Sequence, residues 1–352
     1  MEKNIETIAG DTEGVSYTFP VYRFAGIAAG APSAYLQAAL HAGELPGTVA
    51  IHTLMPKLRA AEAQGRIRGN ITIVPAANPI GRAQYLFADH QGRYHLGTRV
   101  NFNREFPKLE TPDPALLPAD DALATVDRQL KVRLLKLSLG HDIVLDLHCD
   151  DEGVPYLCVP AELWPAMSDC AAAFGVEAVI IWKAPSNGEF EEASIHPYLA
   201  SKASAEHLAR RVIATFELRG MLDVHYGYAE KDAAGLYRLL VARGVIEDRT
   251  VKPSGAFKGV AAPIGHVESV KTPKGGALLY DIKPGDRIAG GQRIATVVYL
   301  AGEDGGAVEI FAPRAGYVLT RRARRIVRAN EDIVKLVGER PDANAKSGPL
   351  KE

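Results

Sequence analysis

Cysteine is scarce in this chain: there are three, Cys149, Cys158 and Cys170, in 352 residues. An odd number without CxxC spacing argues against a disulfide framework and against a thiolate metal site, and a reducing cytoplasm is the simplest setting. Excess charge of either sign is also missing. Lys and Arg number 41 against 42 Asp and Glu, a formal net charge of −1, which favours neither nucleic acid nor an anionic membrane as partner. No apolar run approaches the roughly eighteen residues of a membrane span. The acidic start, Met1 to Gly14, lacks the apolar core of a signal peptide. What remains, 47% apolar and 24% charged residues, is the composition of a globular chain long enough for two domains or one with an appendage.

The first two thirds alternate strand-like and helix-like segments. Tyr35–Leu40 is a short apolar run ending at His41, and Gly47–Arg59 follows with apolar residues at helical spacing. Ile71–Pro75, Ile143–Leu147, Ala178–Trp182 and Val212–Leu218 read as further strands, and Ala119–Leu139 as a long amphipathic helix. Continuous apolar strands separated by helices predict an α/β fold: a mixed, mostly parallel sheet with helices on both faces. Sites in such sheets lie beyond the carboxyl ends of the strands.

The pattern changes near Lys252-Pro253-Ser254-Gly255, beyond which Val, Ile, Gly and Pro dominate and no helix is expected. Gly276-Ala277-Leu278-Leu279-Tyr280 is echoed by Gly316-Tyr317-Val318-Leu319-Thr320, which suggests two similar halves of a small β-sandwich. The expected division is residues 1–255, 256–340 and a disordered tail, 341–352. A cluster of Arg321, Arg322, Arg324, Arg325 and Arg328 reads as a solvated or salt-bridged face. Its sharper alternatives are a contact between copies in a homo-oligomer or a lure for an anionic substrate.

Three pieces carry chemistry: His41-Ala42-Gly43-Glu44, Asp146-Leu147-His148 and Thr215-Phe216-Glu217-Leu218-Arg219. His41 and Glu44, three apart in a turn entering a helix, project to one side. With His148 they make two imidazoles and a carboxylate, the ligand set of one catalytic zinc ion with a position left for water. Asp146 shares the strand face of His148 and could orient a ligand. Glu217 could take a proton from that water. Cys149 alternates to the opposite strand face and reads as core.

The ordered set resembles the zinc carboxypeptidase superfamily, for which a His₂Glu zinc site is general knowledge. His41-Ala42-Gly43-Glu44-Leu45-Pro46-Gly47 and the β-rich C-terminal part are most similar to the succinylglutamate desuccinylase/aspartoacylase family of deacylases. The resemblance implies that Asn103 and Arg104, in Asn101-Phe102-Asn103-Arg104-Glu105-Phe106-Pro107, bind a substrate carboxylate, after the Asn78-Pro79-Ile80-Gly81 turn. The planar fork of arginine suits that task. The resemblance also implies a second arginine that stabilises the oxyanion, with Arg93 and Arg99 as candidates. Gly276–Val298 and Gly316–Val337 resemble the halves of a lipoyl/biotinyl-type sandwich, but Tyr299–Ile310 between them contains no carrier lysine.

The expected function is a zinc-dependent amide hydrolase, with one Zn²⁺ per chain, that removes the acyl group from an N-acyl amino acid or similar small amide. A carboxypeptidase acting on peptides uses the same machinery. A non-haem iron oxygenase would use the same ligands but leaves Glu217 and Arg104 without a task. A catalytically silent metal binder is the remaining alternative.

Overall fold

A computed structural model describes residues 1–119, 123, 125–183 and 187–341. Of the expected tail, 342–352 lies outside the described residues. The chain opens with β1 (Glu2–Ala9), β2 (Ser16–Phe24) and β3 (Ala34–Ala38), then α1 (Pro46–Ala63), β4 (Ile71–Val74) and α2 (Pro79–Arg82). A short hairpin follows, β5 (Tyr85–Leu86) and β6 (Asp89–His90), before α3 (Val126–Ser138). Next come β7 (Ile143–Asp150), β8 (Glu152–Gly153), β9 (Pro155–Pro160), α4 (Ser168–Phe174), β10 (Ala178–Trp182), α5 (Phe190–Ala200) and α6 (Ala205–Ala209). β11 (Val212–Gly220), α7 (Tyr226–Ala242) and β12 (Val260–Pro263) complete this part.

Nine strands form one sheet in the order β1-β2-β4-β3-β7-β11-β9-β10-β12. The pairs from β4 through β3 and β7 to β11 are parallel, as are β9 with β10 and β10 with β12. β1, β2 and the insertion of β9 beside β11 add antiparallel pairings. The sheet is therefore mixed and mostly parallel, as the uninterrupted apolar strands imply. Every residue of β3, β4 and β7 is buried. α1 packs on one face, with Gly47 against Leu147, and α5 on the other, with the Phe190 ring tilted against that of Tyr35 at 6.1 Å between centroids.

Two elements differ from the sequence reading. The helix expected over Ala119–Leu139 begins at Val126, because Thr125 before it is extended (φ −143°, ψ 149°); residues 120–122 and 124 lie outside the described residues. β7 and β11 run past their apolar cores, through His148 to Asp150 and through Glu217 to Gly220. β3 pairs with β7 only as far as Leu147, so beyond it the two extensions pair with each other, Glu217 with His148 and Gly220 with Asp150, and β11 also with β9.

After β12 come β13 (Val267–Lys271), β14 (Gly276–Tyr280), β15 (Arg287–Ile288), β16 (Arg293–Val298) and β17 (Ala307–Phe311). β18 (Gly316–Arg321), β19 (Ile326–Val327) and β20 (Asp332–Val337) end the series. They form two antiparallel sheets, β13-β20-β18-β15 and β17-β16-β14-β19, around a core that includes Leu278, Ile294, Val297, Val318 and Leu336. β8 pairs with β18, which joins the large sheet's connection to the C-terminal strands. The arginine cluster is largely salt-bridged: Arg321 and Arg325 both hold Glu152, and Arg322 pairs with Glu331 at 3.4 Å. Among the described residues, no helix is long and apolar enough to cross a membrane.

Candidate metal centre

The site is built where β3, β7 and β11 end side by side. β3 stops at Ala38, and Ala39 turns the chain with φ +57°, a left-handed conformation that is costly for a residue bearing a Cβ. The turn is held by Asn78, whose Nδ2 donates to Leu40 O at 2.8 Å, and by the Glu44 N–H donating to His41 O at 2.9 Å. α1 then starts on Pro46, a residue suited to the first helical position. A Cβ at Gly47 would lie 2.6 Å from Leu147 Cβ. Glycine there lets α1 approach β7 closely enough to bring Glu44 beside His148.

His41, Glu44 and His148 are all buried, and one ligand atom from each lies within 4.8 Å of the others. His41 Nδ1 is 2.9 Å from Glu44 Oε1, and His148 Nδ1 is 2.8 Å from Glu44 Oε2. The outer nitrogens are anchored. His148 Nε2 lies 2.8 Å from Asp146 Oδ2 and His41 Nε2 lies 2.8 Å from Asn101 Oδ1. The Asn103 N–H donates to the same Asn101 oxygen at 2.8 Å. That atom is therefore an acceptor, and His41 Nε2 carries the proton. Asp146 Oδ2 is placed to accept from His148 Nε2 in the same way. Both imidazoles consequently turn Nδ1 toward Glu44.

This donor set fits a divalent metal. Two Nδ1 lone pairs and a carboxylate converge in a dry space, an arrangement that repels unless a cation lies among them. Without a metal, protons and Arg93 serve. Arg93 Nη1 lies 3.2 Å from His41 Nδ1 and 3.4 Å from Glu44 Oε1. Burial, only partly offset by Glu44, pushes His41 down to about 4. His148 goes the other way: burial disfavours its charge, but Asp146 and Glu44 together hold it well above the usual histidine range. Glu44 stays well below the carboxylate range despite burial, because the two histidines face it.

Glu217 sits one strand over, in register with His148 on β7 and with Tyr156 on β9, so the three share a sheet face. Its Oε2 is buried without a hydrogen-bond partner among the described residues. Burial first, then Glu44 and Asp150, push its carboxyl up to about 7. Beyond it the chain bulges, with Arg219 at φ +63° and its guanidinium paired to Asp232 and stacked 4.1 Å from the Tyr228 ring.

The two arginine candidates separate. Arg93 touches the cluster. Arg99 is exposed on a turn with φ +61°, its N–H donating to His95 O. Arg104 is part-buried, its Nη1 donating to Asn103 O at 2.7 Å and lying 3.6 Å from Glu189. Asn103 Oδ1 accepts from the Phe190 N–H that opens α5, and Phe102 and Phe106 are buried beneath the loop. Cys149 is buried, and its backbone N–H donates to Glu44 at 3.2 Å. Asn101 escaped the sequence reading. Its signal was position alone, two residues before Asn103 at the start of a turn.

Residues 30–243 match the family model described as the succinylglutamate desuccinylase/aspartoacylase catalytic domain. The chain belongs to the succinylglutamate desuccinylase/aspartoacylase family. Solved structures with this family's fold agree over nearly the whole length. A protein of Shewanella amazonensis SB2B described as belonging to the succinylglutamate desuccinylase/aspartoacylase family is 24% identical, with a TM-score of 0.85 over 96% of this chain and 99% of its own. One from Shewanella frigidimarina NCIMB 400 is 23% identical, with a TM-score of 0.81 over 96% and 97%. The product-bound ectoine utilization protein EutE (DoeB) of Ruegeria pomeroyi is 21% identical, with a TM-score of 0.66 over 95% and 94%. No match to this chain is found among curated proteins. The family fold and the His-Glu-His cluster thus occur together in this chain.

Proposed function

We propose that this protein is a zinc-dependent amide hydrolase that removes the acyl group from an N-acyl amino acid or a related small amide. The observation that carries the reading is Glu217 on the strand beside His148, its Oε2 buried with no hydrogen-bond partner among the described residues, facing a His-Glu-His set whose outer nitrogens are already anchored. His41, Glu44 and His148 would hold one zinc ion. When bound, zinc supplies an acidified water, its pKa lowered to about 7, and Lewis acidity toward a carbonyl.

The chain's own residues do the rest. Glu217 accepts the proton of the attacking water on Oε2 and returns it to the leaving amine, so the amine departs neutral. Arg93, at the open side of the cluster, donates N–H groups to the carbonyl oxygen as negative charge develops there. Arg104 binds the carboxylate of the amino-acid portion, with Asn103 fixing the loop that presents it. In this reading residues 1–255 form the hydrolase, with β12 added as the edge strand of its sheet, and the rest of 256–340 a β-sandwich packed beside its active site.

The test is zinc content measured with hydrolysis of a panel of N-acyl amino acids and short peptides, for wild type, His148→Ala and Glu217→Gln. About one zinc per chain, cleavage of acyl amino acids, and a Glu217→Gln protein that keeps metal but loses turnover are expected. Preference for peptides would move the reading to a carboxypeptidase. A metal-free wild type, or full turnover in Glu217→Gln, would overturn it.

A further inference from the structure

Lys335 is buried although it lies on β20 of the C-terminal sheets. A lysine is almost never buried without a partner, and this one reaches across 185 positions of sequence to Asp150 Oδ2 at the end of β7. Asp150 stands two residues beyond His148. Its Oδ2 also accepts from the Tyr156 hydroxyl at 3.0 Å, and its Oδ1 from the Asp151 N–H at 2.8 Å. Tyr156 is the cross-strand partner of Glu217. A continuous path therefore runs from β20 through Lys335, Asp150 and Tyr156 to the side of the carboxylate assigned as the base.

The surroundings make this path rigid. Lys335 pairs with Thr320 on β18, and Thr320 pairs with Gly153 on β8, three residues past Asp150. Glu152 is clasped by Arg321 and Arg325 of the same module. Tyr156 itself belongs to an apolar cluster with Val154, Ala178, Leu319 and Val337, drawn from both the large sheet and the C-terminal strands. Inside such a dry interface an ion pair with several donors holds its geometry, and removing one partner strands a buried charge.

We propose that Lys335 is a positioning residue: through Asp150 and Tyr156 it fixes the strand ends on either side of Glu217, so that the C-terminal sheets complete the active site. The catalytic consequence rests on the reading of Glu217 given above. The ordering of the strand ends does not.

The experiment compares full-length wild type with Lys335→Met, Lys335→Arg and a surface control, Lys271→Met, whose exposed side chain lies on β13 of the same module. Backbone amide exchange is followed in the metal-free proteins, and zinc content, kcat and KM in the loaded ones. In Lys335→Met, exchange over 148–150 and 155–158 should accelerate about tenfold or more, with that over 71–74 unchanged. The same variant should keep its zinc and a KM within about twofold while kcat falls about tenfold or more. Lys335→Arg should recover most of both effects, and Lys271→Met should show neither. Unchanged exchange at the strand ends, or a kcat no lower than that of Lys271→Met, overturns the proposal. Should wild type cleave no amide at all, the functional reading fails by itself, and the exchange data alone decide whether Lys335 orders these strands.

Discussion

His148 Nε2 and Asp146 Oδ2 lie 2.8 Å apart, two residues along one strand face, and the contact turns His148 Nδ1 toward Glu44. Asn101 does the same for His41 from a loop. A ligand whose ring is already aimed loses less freedom on binding, and removing such a partner typically costs about 10–100-fold in metal affinity. Asp146→Ala should therefore weaken zinc binding by about that factor, read by competition with a chromophoric chelator. Asn101→Ala should act in the same direction. Asn101→Asp, which keeps an acceptor for His41 Nε2 and the Asn103 N–H, should retain most of the affinity. Equal affinity in wild type and Asp146→Ala would refute the orienting role.

Glu217 combines a mechanistic and a thermodynamic prediction. Removing a general base costs about 10²–10⁴-fold in rate, so Glu217→Gln should lose turnover by that order while keeping zinc. In the metal-free protein burial pushes the folded carboxyl up to about 7 from its ordinary value of 4.5. The folded state then binds the proton more tightly than the unfolded chain, so stability falls as pH rises from 4.5 to about 7 and stays low above. Glutamine has no such loss. Metal-free Glu217→Gln should melt above metal-free wild type at pH near 8, and the gap should close toward pH 5, in thermal scans. A gap of constant size across this range would refute the upward push on the Glu217 carboxyl.

Much of this was legible because the sheet is regular. Val, Ile and Leu runs marked the central strands, and Ala178–Trp182 has the same bounds in the structure. His41, His148 and Glu217 fell at or near strand ends because ligand-bearing residues follow an apolar run where it leaves the core. Residues whose role depends on distant partners carried no such mark. Asn101 looks like any loop asparagine until its oxygen is found against His41. Lys335 interrupts the apolar run of β20, buried from Ile333 to Val337, and only the packing of two sheets reveals Asp150 as its partner. The start of α3 differs for a local reason: helical spacing in the sequence continues N-terminal to a residue, Thr125, that is extended.

Arg93 and Arg99, six residues apart, are separated by their surroundings. Arg93 reaches His41 and Glu44, whereas Arg99 sits exposed on a turn. Losing one oxyanion donor costs about 10²–10³ in kcat, so Arg93→Ala should fall by that order, with Arg99→Ala close to wild type. Steady-state kinetics on the best substrate of the panel decide between them. The reverse ranking would transfer the role to Arg99. Because Arg93 also neutralises Glu44 in the metal-free protein, zinc affinity should rise rather than fall in Arg93→Ala, since a competing cation is gone.

Gly47 controls the distance between Glu44 and His148. An added Cβ would meet Leu147 Cβ at 2.6 Å and Leu147 O at 3.0 Å, neither of which is the movable end of a flexible side chain. Gly47→Ala must therefore shift α1 away from β7. Overpacking of this kind costs about 1–3 kcal/mol, which thermal or urea unfolding would register. The displacement also draws Glu44 away from His148 Nδ1, so zinc affinity should drop by more than the stability loss accounts for. Gly65→Ala is the control. Gly65 lies just past the end of the same helix with nothing near its Cβ position, but its φ of +65° makes a side chain there strained. That variant should lose stability while zinc affinity of the folded protein stays at the wild-type level. If both variants weaken zinc binding in proportion to their loss of stability, Gly47 serves only to pack α1 and does not set the geometry of the metal ligands.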